Sequence, residues 1–183
     1  MSPYILRKFT LADLRDLQKL KNLIYPDHPT SIIGMRHRKT ARSKKINHKH
    51  WLFEKDKKII GSVLFTQWAD AYHPRKFVFK ILIHPNYQNK GYGALGYEHL
   101  INELKIFNPI KITAQVYEPH LKSYEFLQNR GFQKTIIEKE SSLNLKTYKP
   151  SLYQKKIDHV LKKKFRILSF SKLQKKISNI CHD

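Results

Sequence analysis

Phe77-Val78-Phe79-Lys80-Ile81-Leu82-Ile83-His84-Pro85-Asn86-Tyr87-Gln88-Asn89-Lys90-Gly91-Tyr92-Gly93-Ala94-Leu95-Gly96 changes its period halfway along. The first seven residues are a continuous apolar run broken only by Lys80, the pattern of a buried strand. From Gly91 onward, Leu95, His99, Ile101, Leu104 and Ile106 map largely to one side of a helix that Asn108-Pro109 stops. Between them lies Gln88-Asn89-Lys90-Gly91-Tyr92-Gly93. Glycines at a strand-to-helix junction let several backbone N–H groups converge with no Cβ in the way, at the positive end of a helix dipole, and such a nest binds phosphate. Gly-x-Gly alone also serves merely to shape a turn.

Working outward, residues 110–116 read as a strand, residues 121–129 as a helix capped by Gly131, and residues 135–137, extending as far as Glu140, as a last strand. Upstream, residues 4–8 form a short strand. Thr10 then stands as N-cap before Leu11, Leu14, Leu17 and Leu20, a leucine stripe with helical spacing that belongs in the core. Pro26 and Pro29 break that pattern ahead of a basic, helical or irregular stretch over residues 31–45. The apolar runs 51–53 and 59–65 flank Glu54-Lys55-Asp56-Lys57-Lys58 and read as an antiparallel hairpin. The resulting order, β-α-α-β-β-β-α-β-α-β, calls for a mixed sheet with helices on its faces.

The junction resembles motif A of the GNAT acyltransferase superfamily, Gln/Arg-x-x-Gly-x-Gly/Ala, with Gln88, Gly91 and Gly93 at the defining positions and Ile83-His84-Pro85-Asn86-Tyr87 as its lead-in. Downstream, Ile112-Thr113-Ala114-Gln115-Val116, Ser123, Phe126-Leu127 and Arg130-Gly131-Phe132 resemble motif B. The resemblance covers residues 1–148. It implies an α/β (α+β) fold with a mixed, mostly antiparallel central sheet flanked by helices, and acetyl-CoA as co-substrate. Gln88, Asn89, Lys90, Gly91, Tyr92, Gly93 and Ala94 would hold the pyrophosphate, with His120 and Ser123 as further contacts. Backbone groups near Ile81, Leu82 and Ile83 would meet the pantetheine arm and the acyl carbonyl. The reaction it implies moves the acyl group directly to an amine.

Two departures bear on mechanism. Leu127 stands where many relatives carry a tyrosine as general acid, and Phe77 stands near the usual position of a glutamate base. Tyr124, one helical turn before Leu127, is a substitute acid only if its helix is rotated or shifted. Asp70, His73 and His84 flank the motif A strand and are candidates for a base, although each also reads as an ordinary loop residue. His48 and His50 lack the further ligand spacing of a zinc site, so no metal is expected. Gly-x-Ser-x-Gly is absent, which favours direct transfer over a covalent acyl-enzyme. A fold that binds acyl-CoA without transferring it, as a sensor or a degenerate copy, is the alternative that these departures support.

The chain carries 36 Lys and Arg against 14 Asp and Glu, a formal net charge of +22. Such a surface attracts polyanions, though scattered lysines also arise from compositional bias. Nucleic-acid or ribosome association, as monomer or homodimer, is compatible with it. Arg36, Arg38, Lys39, Arg42, Lys44 and Lys45 fall in the wall where the acceptor enters in related folds, which disfavours a polycationic acceptor and suits an acidic one. The single cysteine, Cys181, makes no intrachain disulfide, and no apolar run spans a membrane, so a cytoplasmic location is expected. Residues 149–183 form a basic extension resembling the start of a second GNAT copy, in which Tyr153, Ile157, Val160 and Leu161 follow helical spacing.

Overall fold

A computed structural model describes residues 4–117, 121–163, 165 and 168–174. Strands β1 (Ile5–Lys8), β2 (Lys49–Lys55), β3 (Lys58–Thr66), β4 (Lys76–Ile83) and β5 (Lys111–Ala114) lie side by side in chain order. The first four pair antiparallel and β4 pairs parallel with β5. The helices are α1 (Leu14–Ile24), α2 (Ile32–Thr40), α3 (Tyr92–Leu104), α4 (Leu121–Gln128) and α5 (Gln154–Lys162). A parallel pair cannot be joined by a tight turn, and α3 supplies the crossover from β4 to β5.

Local chemistry explains the joints. Asp56 and Lys57 turn the β2–β3 hairpin with φ of 50° and 60°, the pair of left-handed residues that a tight two-residue hairpin needs. Asp13 takes hydrogen bonds from the Thr10 amide and hydroxyl and a two-pronged contact from Arg7, fixing the entry to α1. The Arg7 guanidinium holds the Asp13 carboxyl down at about 2. Gly131, at φ 80°, ends α4 while Phe132 N–H donates to the Leu127 carbonyl, a glycine C-cap as its position in the sequence suggests.

The two faces of the sheet bury different side chains. Trp51, Phe53, Val63, Phe65, Phe77 and Phe79 pack with Tyr92, Leu100 and Leu104 of α3 and Leu127 of α4. Helix α3 lies so close that a Cβ on Gly96 would stand 2.8 Å from Val63 Cγ2. On the opposite face a smaller cluster joins Leu14, Leu17, Met35 and Leu52. Leu14, Leu17 and Leu20 of the leucine stripe are buried as their spacing predicts, but Leu11, in the short turn before α1, is 58% exposed and does not join the core.

One expected strand is not formed. Residues 135–140 have no regular structure, and Ile136 and Ile137 are 75% and 68% exposed. Three adjacent β-branched residues, Thr135 to Ile137, supply strand propensity but no buried face, and propensity without packing does not make a strand. The chain divides into two units, Met1–Phe132 and Gln133–Asp183. In the second, α5 forms at the expected place, and Tyr153, Ile157, Val160 and Leu161 stay between 45% and 58% exposed. Among the described residues no helix is long and apolar enough to cross a membrane.

Candidate active site

The β4–β5 ladder is short. Its register runs from Lys76 opposite Lys111 to Phe79 opposite Ala114 and stops, while β4 remains paired with β3 as far as Ile83 opposite Gly61. Beyond Phe79, β4 therefore has a partner on one edge only, over four residues or about 13 Å at the usual rise per residue. His84 N–H donates to the Ile60 carbonyl, so by the alternation of an antiparallel ladder Leu82 and Lys80 also turn their polar backbone groups to β3. Ile81 and Ile83 turn theirs to the open edge. Gln88 Nε2 takes up the Ile83 carbonyl at 3.1 Å, which ties the glycine loop to the end of the strand.

A cleft of about 200 Å³ fills the wedge so formed. Its walls are residues 79–83 of β4 and, across the gap, Ala114, Gln115, Val116 and Tyr117. Gln88, Asn89 and Gly93 close one end, Lys122, Ser123, Phe126 and Leu127 of α4 cover one side, and Ile24 and Tyr25 stand at the end of α1. The loop opens toward α3. Asn89 and Gly91 both have left-handed backbones, at φ 57° and 83°, and Leu95 N–H bonds to the Gly91 carbonyl as the helix begins. The amides of Tyr92, Gly93 and Ala94 are thus first-turn donors with no intrahelical acceptor. A Cβ on Gly93 would meet Phe126 at 3.6 Å, ordinary contact, so nothing in the packing of the chain itself demands glycine there. The residue is small where something outside the chain can approach.

The sequence-derived candidates separate by position. Ile81, Leu82, Ile83, Gln88, Asn89, Gly93 and Ser123 line the cleft. Lys90 reaches back instead, its ammonium on the Asn86 carbonyl at 2.8 Å, and Tyr92 is a core residue whose ring packs edge-on to Phe53. His120 lies outside the described residues. Asp70 and His73 sit in the loop before β4, at the end of the strand opposite the glycine loop, where the His73 imidazole accepts from Arg75 N–H. His84 takes the Asn86 amide and faces a separate surface hollow with Asp16 and Lys58. Tyr124 is half-buried on α4 and outside the cleft lining, whereas Leu127 is in it.

Three lining residues carried little weight in the sequence. Tyr25 and Tyr117, more than ninety positions apart in the chain, meet with ring centroids 5.1 Å apart. Burial raises the Tyr25 phenol above its ordinary value and Tyr117 adds to the effect, so Tyr25 keeps its proton at neutral pH. Lys80 sets its ammonium 5.3 Å from the Tyr25 ring, and burial lowers its pKa. Lys80 alone was signalled, as the one charge inside an apolar strand.

A family model for the acetyltransferase (GNAT) family matches residues 14–132. Among solved structures, a Trypanosoma brucei acetyltransferase is 18% identical, with a TM-score of 0.59 over 77% of this chain and 100% of that one. An aminoglycoside antibiotic 6'-N-acetyltransferase from Acinetobacter baumannii is 15% identical, with a TM-score of 0.57 over 78% and 99%. A third, an aminoglycoside N-acetyltransferase in complex with CoA, is 12% identical, with a TM-score of 0.59 over 78% and 96%. These likenesses are of fold. No curated protein sequence matches significantly. With a glycine loop opening α3, a wedge between β4 and β5, and a family match over most of the described sheet, the chain belongs to the acetyltransferase (GNAT) family.

Proposed function

We propose that this protein transfers the acetyl group of acetyl-CoA directly to the amine of an acceptor, using the wedge between β4 and β5 as its reaction channel. The observation that carries this reading is the abrupt end of the β4–β5 ladder beside a loop of unsatisfied helix-start amides. Those amides, with Gln88 and Asn89, suit a pyrophosphate, whose charge the helix dipole favours. The open N–H groups of Ile81 and Ile83 suit the pantetheine amides and the thioester carbonyl, and a donor fixed in a dry wedge stabilises charge on that oxygen better than water does.

A departing thiolate needs a proton, and Leu127 has none to give. Tyr25 and Tyr117 are the phenols that line the cleft, and Tyr25, held protonated by burial, is the acid we assign. The residues this reading needs all fall within Met1–Phe132.

Thermal unfolding with acetyl-CoA, against ATP at matched concentration, tests the site. At about 100 times the dissociation constant the coenzyme should stabilise by about 2.7 kcal/mol, a shift of a few degrees. The shift should vanish in Gly91→Glu, which places a carboxylate at the dipole end and a side chain on a left-handed backbone. Equal shifts with ATP would mean generic polyanion binding. Leu127 in place of a tyrosine favours a second reading, a sensor that binds without transferring. Free thiol released from acetyl-CoA only when an amine is present separates the two.

A further inference from the structure

The α1 side of the wedge carries a cation that the strand itself sends into the cleft. Lys80 projects from β4 toward α1, its ammonium over the Tyr25 ring. Burial first, and then the opposing charges of Lys80 and of Arg38 on α2, bring the pKa of Lys21, one turn earlier on α1, down to about 8. Among the described residues no carboxylate pairs with Lys21, Arg38 or Lys80. Other partly buried cations do find partners: Arg7 holds Asp13 and Glu54, Lys49 holds Glu103, and Lys39 rests against His48 and His50. Beside the three cations, Tyr25 and Tyr117 form an aromatic shelf with His28, whose ring centroid is 5.2 Å from that of Tyr117. The shelf is held in place. Asn22 Oδ1 accepts from Thr30 N–H at 2.8 Å, and Gln18 Nε2 donates to the Thr30 carbonyl at 2.7 Å, clamping the turn after α1 to the helix.

Lys21 and Lys80 are half-buried and Arg38 is exposed; half-buried like charges near one another without a counter-ion are destabilising, and such pairs are kept where a ligand supplies the opposite charge. We propose that the α1-side mouth of the wedge, where Lys80 lines the cleft beside the Tyr25–Tyr117 shelf with Lys21 behind it on α1, binds an anionic group, phosphate or carboxylate, carried by a small amine acceptor. The inference rests on the acetyl-transfer reading for what the amine does, and on the cations alone for what it carries. The glycine loop closes the other end of the cleft, so the two anion sites address different ligands. The anion fixes the acceptor against the shelf with its amine directed into the wedge toward Ile81.

Two matched pairs of amines distinguish the source of the anion: phosphoethanolamine against ethanolamine, and β-alanine against β-alaninamide. Each is titrated calorimetrically into the full chain saturated with CoA, and again into Gly91→Glu without CoA. The charged member of at least one pair should bind about tenfold tighter or more than its uncharged partner, as expected for charge-assisted contacts. The pair with the larger ratio identifies phosphate or carboxylate. Lys80→Met and Lys21→Met should each remove most of that ratio, Lys80→Arg should retain it, and Lys105→Met, an exposed charge elsewhere, should leave it intact. Persistence of the ratio in Gly91→Glu would show the subsite to be independent of the coenzyme, whatever becomes of the transfer reading. Equal binding within both pairs, or an equal loss in Lys105→Met and Lys80→Met, would overturn the proposal.

Discussion

Under α3 the sheet carries Trp51, Phe53, Phe65, Phe77 and Phe79, a dry aromatic layer that buries no charge. Under α1 and α2 it carries Leu52, His50 and Ser62, met by Met35 and Lys39 of α2 and by His48 just before β2. Lys39 donates to His48 at 3.3 Å and to His50 at 3.2 Å, His50 meets Ser62 Oγ at 2.8 Å, and Phe9 stacks on His50. Both faces are packed; the α3 face admits a single imidazole, His99 against Trp51, whereas the second gathers a lysine and two imidazoles in one cluster. The α3 face is thus the drier of the two, and the α1–α2 face gives up stability to hold a polar cluster.

The contrast can be broken most severely on the α3 face. Phe53→Ala should destabilise by about 3–5 kcal/mol, the range for removing a fully buried aromatic. Gly96→Leu should be comparably damaging, because even a Cβ there would stand 2.8 Å from Val63 Cγ2. Urea melts of both check this, and a loss under about 1 kcal/mol in either would mean that α3 is free to move away from the sheet.

On the α1–α2 face the next largest effect is one of pH. Burial first, then Lys39, lowers the His50 imidazole from 6.5 to about 2, and burial with Arg42 and Lys39 lowers His48 to about 3. Below pH 6.5 the unfolded chain takes up protons that the folded chain refuses, so stability falls as pH falls. His50 alone should contribute a slope of about 1.4 kcal/mol per pH unit below 6.5. Denaturant midpoints at pH 7 and 5 measure the slope, and His50→Asn should reduce it by the His50 share, leaving that of His48. A chain equally stable at both pH values would mean that this face is wetter than its packing implies.

Much of this was legible because it is local. The change of period at Gly91, the leucine stripe and the β2–β3 hairpin each need only neighbours in sequence to declare themselves. So did the Gln88, Gly91 and Gly93 loop, since a nest is made by consecutive amides. What failed to show was tertiary. Asp70 and His73 adjoin β4 in the chain, but they adjoin the wrong end, and eight residues of strand separate them from the loop. Tyr25 and Tyr117 become partners only once α1 and the continuation of β5 have been placed on opposite sides of the wedge. Ile136 and Ile137 have the composition of a strand, and only the absence of a packed face reveals that they are not one.

The smallest effect belongs to Lys21, and it is the most informative about the polar face. Replacing it by methionine keeps the apolar stem and removes an ammonium that burial holds near 8. Lys21→Met should stabilise by about 1 kcal/mol at pH 7, the full shift being discounted for the solvent that screens a partly exposed charge. The gain should shrink between pH 8 and 10.5, where the folded lysine of the wild type has released its proton and the unfolded one still holds it, so that wild-type stability rises with pH. The same variant should bind anionic amines more weakly. A residue whose removal strengthens the fold while weakening the ligand is kept for the ligand, whereas a loss of stability in Lys21→Met would make it a structural residue and leave Lys80 and Arg38 to account for the charge at the mouth of the wedge.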